Sequence, residues 1–127
     1  LINTTIYQLF GGTIQYLDLS FTCIKSDGLK LLGNIKTVIL NNCFLLKSVK
    51  YLTGVERLQI KKCSLLTDIS ILKDNIKRLD ISYCKNLSNE PYLKEPFKYF
   101  KKLEYFVDIN GIKYGSVSSF GYIYYNY

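Results

Sequence analysis

The 127 residues predict a solenoid: short parallel strands stacked one on the next, mostly β and irregular structure, joined by 3₁₀ or extended turns or short helices. Three observations predict it. Four stretches share one apolar pattern, starting at Ile14, Ile35, Val55 and Ile76, which are 21, 20 and 21 residues apart. Within each, the alternation has a period of two, the mark of a half-buried strand, as in "YLDLS" and "RLQIK". The chain also lacks Ala, the best helix former, while Ile, Tyr, Asn and Ser, all weaker ones, are plentiful.

The elements follow in order. Residues 1–13 are expected to be the end of a preceding repeat or an N-terminal cap, and a chain that opens on Leu1 rather than Met is expected to be a fragment. The repeats occupy 14–90. Their first, fourth and sixth positions are apolar: Ile14, Leu17, Leu19; Ile35, Val38, Leu40; Val55, Leu58, Ile60; Ile76, Leu79, Ile81. The ninth position holds Thr22, Cys43, Cys63 and Cys84. Beyond the cysteine the apolar spacing lengthens to three, at Leu46, Val49, Leu52 and Val55 and again at Leu66, Ile69 and Leu72, which suits 3₁₀ or extended turns. "SDGLKLLGN", 26–34, is the best short helix, with Ser26 or Asp27 at its start and Gly33 at its end. Residues 91–127 hold both prolines and most of the aromatic residues. There Leu103 and Phe106 start a degenerate repeat, or "FKYFKKLEYF" forms a short amphipathic helix; "KYGSVSSFGYIYYNY", 113–127, reads as a terminal hairpin or strand that caps an otherwise open core.

This spacing, L-x-x-L-x-L-x-x-N/C-x-L, resembles that of leucine-rich-repeat proteins, and "CSLLTDI" at 63–69 is similar to the irregular, cysteine-containing type. The resemblance implies a leucine-rich-repeat solenoid with its strands on a concave face, and that face as the usual binding surface. Outward strand positions supply the candidate contacts: Tyr16, Phe21, Ile39, Arg57, Lys61, Lys62, Arg78 and Tyr83, a basic cluster flanked by aromatics with an exposed isoleucine beside it.

Thr22, Cys43, Cys63 and Cys84 are expected to form a structural ladder. Parallel strands lie about 4.8 Å apart, so three rungs span roughly 10 Å. Zinc needs its sulfurs within about 2.3 Å of one ion. A metal site and a catalytic thiol are therefore not expected, nor is any cofactor. With no His in the chain, the commonest acid–base side chain is missing, and no enzyme is expected.

Lysines outnumber arginines fifteen to two and the net charge is +7. That balance favours an acidic protein partner. Asp18, Glu56 and Asp80 interrupt the positive stripe, which speaks against nucleic acid, and no apolar run is long enough to insert in a membrane. Residues with A/T-rich codons dominate, the mark of an A/T-rich genome such as that of a large virus. Reduced thiols favour an intracellular setting or the inside of a virus particle. The function expected is a non-catalytic interaction or scaffolding module. The alternatives are a component of a larger, for instance viral, assembly packed through the tyrosine-rich end, and the substrate-recognition arm of a ubiquitin ligase.

Overall fold

The computed structural model describes residues 15–32 and 34–115. The expectations for 1–13, Ile14, Gly33 and the end of the chain from 116 lie outside the described residues. Six strands form one sheet whose spatial order is the order of the sequence: β1 Tyr16–Asp18, β2 Thr37–Ile39, β3 Arg57–Gln59, β4 Arg78–Asp80, β5 Tyr105–Val107 and β6 Lys113–Gly115. The first five are parallel, and β6 returns antiparallel on β5.

The register is the one the sequence spacing demands. Leu17, Val38, Leu58, Leu79 and Phe106 are paired across successive strands. A slip of one residue would turn the whole apolar set outward. Beyond each strand the pairing continues at single bonds: the Phe21, Asn42 and Lys62 amides donate to the carbonyls of Asn41, Lys61 and Ser82, each at 2.8 Å.

The return path behind the sheet is tight. The amides of Leu46, Leu52, Leu66, Leu72 and Leu87 each donate to a carbonyl three residues back, which is the 3₁₀ pattern that a period of three requires. Ser26–Leu32 is a 3₁₀ helix of seven residues, and one α-helical turn, Pro96–Tyr99, precedes β5. Of the two alternatives for "FKYFKKLEYF", the strand of a fifth unit forms at Tyr105–Val107, and the helix is limited to the single turn Pro96–Tyr99.

One apolar core runs under the strands, and Leu40, Leu46, Val49, Leu52, Leu58, Leu66, Ile69 and Leu79 in it have no exposed surface. Each such leucine contributes roughly 1.5–3 kcal/mol by leaving water. Phe100 and Phe106 extend the core to the last strands, and Tyr92, stacked on Tyr99 at 4.6 Å, packs against its end. Along the second positions, Glu56 lies 3.6 Å from Lys36 and 3.5 Å from Lys77; such half-exposed pairs add little stability.

Candidate functional site

The ninth-position residues turn inward where each strand ends. Cys43, Cys63 and Cys84 are buried, and each thiol donates to a carbonyl of the preceding unit: Cys43 to Leu19 at 3.3 Å, Cys63 to Leu40 at 3.0 Å and Cys84 to Ile60 at 2.7 Å. Thr22 instead donates its hydroxyl within its own unit, to the same Leu19 carbonyl that Cys43 uses, at 2.8 Å. These carbonyls lie just past the strand, where the sheet no longer serves them. Contact with Cys63 and burial push the Cys43 thiol far above its ordinary value. At Cys63, contact with Cys43 acts downward, but contact with Cys84 and burial outweigh it, and the thiol is pushed up to about 12. Both sulfurs are protonated at neutral pH and offer no thiolate. Cys23 is exposed and unbridged. Among the described residues no group of three His, Cys, Asp or Glu side chains could hold a metal ion.

The outer face of the sheet differs from the expectation. Ile39, expected to be exposed, is fully buried, and with Tyr105 and Val107 it makes a second apolar group. Lys61, expected to reach a partner, is only 5% exposed. Thr37, Asn41, Gln59, Asp80 and Ser82 are buried as well.

The polar residues of this face have a local task. As the chain leaves each strand, the amide of the seventh position falls out of the ladder and takes a side-chain oxygen instead. Ser20 donates to Asp18 Oδ1 at 2.9 Å, Asn41 to Ser20 Oγ at 3.1 Å, Lys61 to Asn41 Oδ1 at 2.9 Å and Ser82 to Asp80 Oδ1 at 2.9 Å. The reading of outward positions as contacts missed this, although "DLS" and "DIS" carry the signal: Asp bonding its backbone two residues on.

The interior of this face is electrostatically strained. Burial pushes the Asp80 carboxyl above its ordinary value, against the hydrogen bonds from Ser82 and the charge of Lys61. Burial likewise pulls the Lys61 ammonium down, with Asp80 opposing. Among the described residues Gln59 Nε2, Arg78 Nε and Asp80 Oδ2 are buried and find no hydrogen-bond partner. Arg78 uses its Nη2 instead, 3.3 Å from Glu104.

What stays open is the edge of the face. Tyr16 is 40% exposed, Phe21 58% and Tyr83 50%; Lys62 is exposed too, while Arg57 and Arg78 are half-buried. Phe21, Asn42, Lys62 and Tyr83 share the eighth position, and all four have a positive φ, between 58° and 63°. That left-handed turn is natural for Asn and Gly and unfavourable for Phe, Lys and Tyr. The Tyr83 ring lies over Gly111, where a Cβ would come 3.0 Å from its hydroxyl.

Among the described residues no helix is long and apolar enough to cross a membrane. Comparison with protein-family models, with curated proteins and with solved structures returns no match, so the site is read from its own geometry.

Proposed function

We propose that this chain is a leucine-rich-repeat solenoid that binds a protein partner along the edge of its strand face and performs no chemistry itself. The observation that carries the reading is the exposed row at the eighth position. A turn that demands positive φ would be best served by Asn or Gly, yet three of its four occupants are Phe21, Lys62 and Tyr83. Residues held in a disfavoured backbone region tend to cluster at functional sites. Two aromatics and a lysine also form the kind of surface that anchors a protein partner, and the net charge of +7 favours an acidic one. Tyr16, Arg57 and Arg78 flank the row; Ile39 and Lys61, both buried, are not part of it.

The test uses Phe21→Asn, Lys62→Asn and Tyr83→Asn, which suit the turn. Each is expected to leave thermal stability unchanged or raise it by about 0.5–1 kcal/mol. Together they are expected to abolish capture of a discrete partner from the protein's native source. Capture that survives the triple substitution overturns the reading.

A second reading, a component of a larger assembly packed through its tyrosine-rich C-terminal end, draws support from Phe97, Ile112 and Tyr114, which are 44%, 52% and 45% exposed near β6, the last strand of the sheet among the described residues. An apolar edge of this kind is a surface for pairing. Concentration-dependent sedimentation that Ile112→Lys eliminates would favour it.

A further inference from the structure

A different surface carries an inference of its own. After Cys43 and Cys63 the chain runs through two consecutive leucines, and only the second is needed inside: Leu46 and Leu66 have no exposed surface, whereas Leu45 and Leu65 are each 38% exposed. Phe44, just before Leu45, is 50% exposed. The matching position of the fourth unit holds Asn86, so the turn itself does not call for an apolar side chain. Leu45 and Leu65 lie on one cavity of about 440 Å³ with Lys25, Ser26, Asp27 and Lys47. Its single carboxylate is already engaged, since Asp27 Oδ1 accepts from the Tyr51 hydroxyl at 3.4 Å. Two further lysines stand close by, Lys30 and Lys50, whose ammonium groups lie 5.7 Å and 5.2 Å from the centre of the Tyr51 ring. The result is an apolar floor with a basic rim.

We propose that this groove receives an acidic, apolar segment of a partner protein, its aliphatic side chains on Leu45 and Leu65 and its carboxylates beside Lys25 and Lys47. The charge pattern selects the occupant. A segment of purely apolar character would leave the lysines desolvated and unpaired, and a basic one would be repelled. Phe21, Lys62 and Tyr83 are not among the groove's lining residues, so it adds a second contact to the proposed binding edge and does not depend on it.

The experiment is fluorescence anisotropy of the full chain with three labelled synthetic peptides of twelve residues. One alternates leucine with aspartate, one replaces every leucine by serine, and one replaces every aspartate by lysine. Saturable binding is expected for the first, with at least about ten-fold weaker binding for the other two. Leu45→Ser with Leu65→Ser, and separately Lys25→Glu with Lys47→Glu, are each expected to weaken the first peptide by about ten-fold or more, while Phe21→Asn with Tyr83→Asn leaves it unchanged. All four groove side chains lie outside the core, and matched melting curves verify that the variants fold. No saturable binding overturns the proposal. So does binding that the groove variants leave intact, or binding lost in the Phe21 and Tyr83 variant, which would move the peptide to the other surface. Sedimentation covers the remaining occupant: self-association that the paired leucine substitution abolishes would make the groove a contact between two copies and overturn the proposal as well.

Discussion

Asp80 holds two opposed roles in one side chain. Its Oδ1 serves the Ser82 amide and hydroxyl, while its Oδ2 is buried with no hydrogen bond. Burial raises its pKa above the ordinary 3.8, so the folded chain holds this proton more tightly than the unfolded chain does. The contribution of Asp80 to stability is therefore fullest below pH 3.8 and declines as pH rises through the raised folded value. Asp80→Asn keeps the acceptor oxygen and removes the titration. The stability of the variant relative to the native chain is expected to increase between pH 3.8 and pH 7, measured by denaturant unfolding at both; an equal difference at the two would contradict the assignment. Alternation in the sequence tells which side of a strand a residue takes, and it did so for Gln59, Lys61 and Asp80. It is silent on how deep that side lies. That is why Ile39 and Lys61 read as surface, and why only the exposed edge of the candidate site was legible.

At the scale of the element, the three-residue strands are tied down where the chain leaves them: by thiol or hydroxyl donors to the carbonyl just past the strand and by side-chain caps on the departing amide. β5 shows how far the pattern can erode. It keeps the register of β4, Tyr105 opposite Arg78, yet its sixth position is Asp108 where the other units have an aliphatic residue. Asp108 Oδ1 instead accepts from the Asn110 and Ile112 amides, turning the chain into β6. The strand was half-legible from Leu103 and Phe106, and the stretch from Lys113 read as a terminal hairpin or strand, as β6 is; that its return rests on backbone geometry at one glycine was not legible. Gly115 has φ 96°, and a Cβ there would lie 2.2 Å from the Glu104 carbonyl oxygen. Backbone cannot give way as a side-chain tip can. Gly115→Ala is expected to release β6 at a cost of about 1–3 kcal/mol, with faster hydrogen exchange at the Asp108 amide, which donates to Ile112 at 3.0 Å, and unchanged exchange in β2 and β3.

At the scale of the whole molecule one continuous core joins the five parallel strands, and this was the most legible property of all, because apolar residues at three fixed positions recur with hardly an exception. The buried thiols report on it. Iodoacetamide is expected to label Cys23 alone in the native chain and to reach Cys43, Cys63 and Cys84 together, at one common rate, only as the fold opens. Mass spectrometry with time separates these cases; independent rates would mean that the units open separately. Cys63→Ala is expected to cost about 1–3 kcal/mol, since it strands the Leu40 carbonyl away from water. The thiol bonds also bear on how such a chain can change length. The bonds described for each unit reach no further than the next one, so excising residues 35–54 as a block would bring Val55 to where Ile35 stood and offer Cys63 the Leu19 carbonyl that Cys43 now holds. Loss of ten residues would set a turn against a strand and satisfy neither. Growth and shrinkage are quantised, and the tolerated step is about twenty residues.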